Sequence, residues 1–442
     1  MRRLWLLVLS AAAIPAHADP APRVITLAEA VEMAQRDAPA IIEAQGEERA
    51  GAAGVRSAYA AFLPSLSLTA GATRQLPAGG ATRVENGQVI TVAREPWSSS
   101  LGLGASLELF DGGRRFFDLR QARARADASE ANQVSQRFGV ALAAKQRYFD
   151  VLAARESQAA AAAQLQQAEQ QRRVSVARAR AQSATRSDSL RAEIQVRNAR
   201  LAVRQAQDAF ETANASLTRA VGSLEPVTAA SDSLDQPTLA LDEAALRNLA
   251  GNGPAVLQAR GSLTAARAGE RGSWTDYLPS VNASYSRSGS GTSESPTLSD
   301  QGFAYSGSFR LALSFPLFNQ LQREQQVTQA QVARANAEAA LRDTRLAALE
   351  SLTQSLAAFR SAAEQVASQI ATVEAAEEDL RVQQQRYAVG GSTLLDVLTS
   401  QTQLDQARRD LIRARYDQRV AKAQLEALGG AGPVSPRERR CT

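Results

Sequence analysis

Two residue types that carry much of enzyme chemistry are almost missing from this 442-residue sequence, which holds one histidine, His17, and one cysteine, Cys441. A single penultimate cysteine excludes an internal disulfide, a cysteine-based zinc site and a Cys-His nucleophilic pair. His17 falls within a leader expected to be removed, which takes away the usual proton shuttle and the commonest metal ligand. No glycine-rich phosphate loop is present either. No catalytic residue, cofactor or metal is expected, and the chain does not read as an enzyme. Lysine is reduced to Lys145 and Lys422, so 48 of the 50 basic residues are Arg. These Arg are interspersed with Glu, Asp and Gln along helical stretches, as on solvated helix faces, so no nucleic-acid partner is expected.

Long apolar runs are scarce too. At the start, Arg2 and Arg3 precede an apolar core, Leu4 to Leu9 with Ala11 to Ile14, and Ala16-His17-Ala18 fits a small-x-small cleavage site. Residues 1–18 therefore read as an export signal, whose loss lowers the net charge from +5 to +3. Beyond it no run approaches about 18 apolar residues, the length of a transmembrane helix. An exported chain without such a helix is periplasmic, secreted or a β-barrel of the outer membrane.

Proline and glycine are missing from two long stretches, and what remains there repeats. No Pro occurs between Pro96 and Pro226 or between Pro316 and Pro433, and Gly139 is the only Gly from Arg114 to Val221. Asp37-Ala38-Pro39-Ala40 is echoed by Asn252-Gly253-Pro254-Ala255, and Leu63-Pro64-Ser65 by Leu278-Pro279-Ser280, both at an offset of 215. Leu109-Phe110-Asp111 is echoed by Leu317-Phe318-Asn319, and Thr185, Asp188 and Leu190 by Thr393, Asp396 and Leu398, all at 208. From Phe110 to Asp188 and from Phe318 to Asp396 the spacing is an identical 78 residues, as a rigid helical element requires.

These stretches are rich in Ala, Gln, Arg, Glu and Leu, strong helix formers. Breakers return at Gln182-Ser183-Ala184-Thr185 and at Gly390-Gly391-Ser392-Thr393. Each half therefore reads as a helix of roughly 65 to 70 residues, a tight turn and a returning helix of about 35, the longer one about 100 Å in length. Helices of that length must pack side by side, and the apolar spacing of Leu346, Leu349, Leu352, Leu356 and Phe359 at threes and fours supports this.

Between the lead helix and the long helix of each half the period changes to 2. Leu66, Leu68, Ala70 and Ala72 alternate with Ser67, Thr69 and Gly71, and Leu101, Leu103, Ala105 and Leu107 with Gly102, Gly104, Ser106 and Glu108. The second half repeats this around Val281, Ala283 and Tyr285, then Phe309, Leu311 and Leu313. Four strands with one apolar and one polar face form the dyad pattern of a membrane barrel, with Glu108 and Arg310 on the water-facing side. Four strands cannot close a barrel in lipid, so several chains must share one. The expected organisation is a first repeat over 19–226, with strands about 65–110 and a turn about 182–187. A linker over 227–241 follows, then a second repeat over 242–430, with strands about 280–316 and a turn about 390–393. A disordered tail, 431–442, ends the chain.

The segment Arg386-Tyr387-Ala388-Val389-Gly390 with Leu395-Asp396-Val397-Leu398 and Gln401 resembles a signature of the TolC-like outer membrane efflux proteins. Leu63-Pro64-Ser65 and Leu278-Pro279-Ser280 are similar to that family's leads into its barrel strands, and Leu109-Phe110-Asp111-Gly112-Gly113 and Leu317-Phe318-Asn319 to its exits. The resemblance implies a mixed, mainly α fold, in which duplicated helical hairpins form an α-barrel and four strands per chain join a shared trimeric β-barrel. It implies a homotrimer in outer-membrane lipid that extends into the periplasm. There it docks a periplasmic adaptor (membrane fusion) protein and an inner-membrane pump of the RND, ABC or a similar class, for efflux or type I secretion. Asp396 would then ring a periplasmic gate, with Asp188 at the matching place, although both also suit the first turn of a helix. Some relatives carry a second acid where this chain has Thr399. Gly390, Gly391, Ser392 and Thr393, with Ala184, Thr185, Arg386 and Tyr387, would shape the tip turns that meet the adaptor. The rival reading is a periplasmic coiled-coil adaptor or scaffold without a membrane barrel, which leaves the two strand pairs unexplained.

Overall fold

A computed structural model describes residues 22–76, 81–92, 96–231, 243–293, 295 and 303–428. The expected leader, the part of the linker from 232 to 241, and the expected tail with Cys441 lie outside the described residues. The elements in chain order are β1 (Arg23–Ile25), α1 (Leu27–Asp37), α2 (Pro39–Ala60), β2 (Ser65–Arg74), β3 (Ala81–Glu85), β4 (Gln88–Val92) and β5 (Trp97–Phe110). Then come α3 (Arg114–Arg180), α4 (Arg186–Ala220), β6 (Val227–Ala229), α5 (Glu243–Gly251) and α6 (Pro254–Ser273) with a 3-10 turn, Trp274–Tyr277. The chain continues through β7 (Ser280–Ser293), β8 (Ala304–Ser314), α7 (Gln322–Ala388) and α8 (Leu394–Leu428). It divides into two compact units, each built from both halves of the sequence: residues 43–135 with 250–349, and residues 1–42 with 136–249 and 350–442.

The first of these units carries a four-stranded antiparallel sheet in the order β2-β5-β7-β8. Register places Leu68, Leu103, Arg287 and Gly307 in one row, and Ser65, Ser106, Ser284 and Arg310 in a row of the opposite face. The expected alternation is therefore carried coherently across all four strands. The polar face is mostly hydroxyls, with Ser65 and Ser106 paired at 2.8 Å and Ser286 and Ser308 at 2.9 Å. A bulge at Leu109 interrupts the β5–β7 ladder just before the chain leaves the sheet. Large side chains of the apolar face stand exposed: Leu68 is 72% exposed, Phe309 70% and Leu313 71%. Each such side chain forgoes about 1.5–3 kcal/mol while it faces water. The outer strands β2 and β8 each pair on one side only, leaving open ladders.

The segment between β2 and β5 contains a further hairpin, β3–β4. Asn86 and Gly87 both have positive φ, 54° and 78°, the two-residue turn that Asn-Gly favours between strands. The lead helices are also each broken once, into α1 and α2 and into α5 and α6. Pro39 and Pro254 begin the second pieces, because proline has no N–H to continue a helix and holds its predecessor extended.

The other unit holds a compact core. Ile25, Tyr148, Val151, Leu217, Val221 and Val227 pack together, each 0–1% exposed. At its centre β1 and β6 pair in parallel, Arg23 with Val227 through Ile25 with Ala229. The linker expected from 227 thus opens with a buried strand. Arg155 donates to the Thr228 hydroxyl and the Ala229 carbonyl, and Tyr148 donates to the Ala230 carbonyl at 3.2 Å. Helices α3 and α7 are each 67 residues long, and α4 and α8 each 35. The two expected hairpins are therefore equal in length, each long helix running about 100 Å.

Candidate functional site at the paired helical turns

The two hairpin turns share one backbone design, built with different residues. In the first, Ser183 N–H donates to Arg178 O at 3.0 Å and Gln182 N–H to Ala179 O at 3.2 Å. In the second, Gly391 N–H donates to Arg386 O at 2.7 Å and Gly390 N–H to Tyr387 O at 3.2 Å. Both are the paired bonds that close a helix around a left-handed residue. That residue is Gly390, φ +80°, in one turn and Gln182, φ +54°, in the other.

The returning helices open with matching capping boxes. Thr393 donates to Asp396 Oδ2 from its backbone N–H at 2.8 Å and from its hydroxyl at 2.7 Å, while Asp396 N–H donates back to Thr393 Oγ1 at 3.3 Å. Thr185 and Asp188 repeat the arrangement at 3.0, 2.8 and 3.2 Å. The Thr393 hydroxyl and then its N–H, helped by nearby Arg386, hold the Asp396 carboxyl below the usual range. Asp396 is exposed. Ser392 turns inward and donates to Gln383 O at 3.2 Å. Thr399, where some relatives have a second acid, donates to Leu395 O of its own helix.

One residue that ties the turns together was not singled out from the sequence. Arg178 donates to Tyr387 O and Ala388 O, both at 3.0 Å, and lies 4.5 Å from the Tyr387 ring centroid. It thereby satisfies the last carbonyls of α7 with a cation, the charge that end of a helix favours. The signal was present, since Arg178 stands 208 residues before Arg386. Ala184 and Thr185 sit at the start of α4 beside this link, whereas Glu108 and Arg310 lie in the sheet. There they occupy neighbouring rows of the polar face, opposite Asn282 and Ser284, and both are exposed.

Two fused hairpins of equal length, acid-capped turns and a two-faced sheet with open edges make up this chain. The family model for the outer membrane efflux protein matches residues 30–223 and 245–431. This chain belongs to the outer membrane efflux protein family. A relative, protein CyaE of Bordetella pertussis, is 27% identical over 421 residues, covering 92% of this chain and 85% of that protein. Among solved structures, the outer membrane protein VceC of Vibrio cholerae superposes with a TM-score of 0.72 at 20% identity, covering 91% of this chain and 96% of that one. The open state of the MtrE outer membrane channel of Neisseria gonorrhoeae gives 0.73 at 21% identity, covering 91% and 88%. Membership places the chain in the outer membrane, extending into the periplasm, and sets aside the soluble adaptor reading.

Proposed function

We propose that this efflux-family chain is the exit duct of a tripartite efflux or type I secretion system. Three copies close one twelve-stranded barrel and continue it as a helical tube. The observation that carries this reading is the sheet. Its apolar face is uncovered, its opposite face is lined with hydroxyls, and both edge ladders are open. Lipid on one face, water on the other and a neighbouring chain at each edge satisfy all three. The duct is passive and gated. The turns at Ala184–Thr185 and Gly390–Thr393 dock a periplasmic adaptor, and an inner-membrane pump of the RND, ABC or a similar class drives transport.

In this reading three Asp396 carboxylates ring the periplasmic aperture, with Asp188 nearby, and favour cations over anions. The capping box supports the role, because its hydrogen bonds fix the position of the carboxylate. Single-channel recording in planar bilayers tests it. Asp396→Ala should raise conductance or ease opening and lower cation preference, and unchanged conductance and selectivity would remove Asp396 from the gate.

A further inference from the structure

Among the described residues of the four strands, the outward face carries two charged side chains, both arginines. Register puts Arg74 in the row of Trp97 and Ser293, at the end of the strands away from the helices, and Arg287 in the row of Leu68, Leu103 and Gly307. Each guanidinium lies over an aromatic ring of the same face: Arg74 over Trp97 at 5.8 Å, and Arg287 over Tyr305 at 5.7 Å. Tyr305 in turn packs against Phe303 at 5.2 Å, and both rings lie across Gly289. Between these rows Ser99, 1% exposed, keeps a buried hydroxyl without a partner on this same face. Among the described residues no carboxylate stands on this face of the four strands, since Glu108 belongs to the other. Both arginines are exposed.

An unpaired arginine in the middle of a hydrocarbon layer costs about 2–4 kcal/mol, so the hydrocarbon ends no farther out than the Arg287 row, and the Arg74 row lies beyond it toward the strand ends. Beyond the hydrocarbon the face needs anions.

We infer that Arg74 and Arg287, each held by its aromatic partner, form two levels of a headgroup-binding face for the phosphate groups of anionic glycolipid in the outer leaflet. The site rests on the barrel reading above. Charge complementarity selects the occupant: two cations, stacked on amphipathic rings at the hydrocarbon boundary, face a leaflet whose anions are phosphates. Guanidinium forks bind phosphate oxygens in pairs, which lysine would not do.

The test titrates the purified full-length protein with bisphosphorylated lipid A, with its dephosphorylated form and with inorganic phosphate, and follows bound lipid by native mass spectrometry. Flotation with phosphatidylcholine vesicles is run alongside. The bisphosphorylated form should bind at least tenfold tighter than the dephosphorylated one, and free phosphate should not bind. Arg74→Gln and Arg287→Gln should each weaken binding roughly fivefold, with flotation unchanged. Equal affinity for the two lipid forms, or single variants that bind as the parent does, would overturn the site while leaving the barrel intact. A parent protein that fails to float removes the barrel reading and this site with it.

Discussion

Left-handed backbone positions recur at three matched places, and glycine occupies only one member of each pair. Gly112 and Gly113, φ +69° and +89°, correspond at an offset of 208 to Gln320 and Leu321, φ +57° and +61°. At the turns the roles reverse, with Gly390 matched by Gln182. A side chain in this conformation costs about 1 kcal/mol relative to glycine. Gln182→Gly should therefore stabilise the first hairpin by about 1 kcal/mol, and Gly390→Ala should destabilise the second by a similar amount, read as opposite shifts of the melting temperature. The Asp396 cap adds a pH signature. Its folded pKa lies below the ordinary 3.8, so its contribution is present above about pH 4 and is lost as the pH falls through the folded value. Asp396→Asn should lower the melting temperature at pH 7, and the gap to the parent should close as the pH falls below 4. Buried Asp405 runs the other way. Desolvation raises its pKa despite the Gln164 amide donating to it at 2.6 Å and arginines nearby, so the native state takes up its proton more readily. Its stabilising contribution is present at low pH and lost as pH rises through the folded value.

At the scale of elements, the sheet turns a two-residue period into two environments. Phe309 pairs with Tyr285 on the apolar face, and Ser308 with Ser286 on the hydroxyl face. Adjacent substitutions should separate these environments. Phe309→Arg places a charge against lipid and should cost about 2–4 kcal/mol, seen as loss of the heat-resistant oligomer on unheated gels. Ser308→Arg faces water and should leave that oligomer intact. Equal behaviour of the two variants would contradict the assigned faces. The helices work by length instead. With α3 and α7 of equal length and α4 and α8 likewise, the two hairpins reach their turns in step, which lets Arg178 of one meet Tyr387 of the other.

For the whole molecule, the open ladders of β2 and β8 are the feature that one chain cannot resolve. In the proposed trimer, three copies would supply each edge with a partner and place the same tip residues around one axis. Mass photometry of detergent-solubilised protein should give three chains per particle, and a monomer that resists heat and proteolysis would refute the shared barrel. Much of this was legible beforehand. The 78-residue spacer, the Pro-free stretches and the alternating strands are periodic over many residues, so the hairpins, the strand pairs and the acids at the turns could be placed from spacing alone. What escaped was short or long-range. The strand β6 is three residues long and pairs with β1 some 200 positions away, the β3–β4 hairpin hung on one Asn-Gly pair, and Arg178 is one arginine among many until its partner carbonyls are in place. The sequence by itself determined element type, length and the two-fold internal design, because these follow from local periods and from the absence of breakers. Only the tertiary structure decided which rows of side chains align across strands, which face stays uncovered and which carbonyls Arg178 satisfies, since each depends on register between segments distant in the chain.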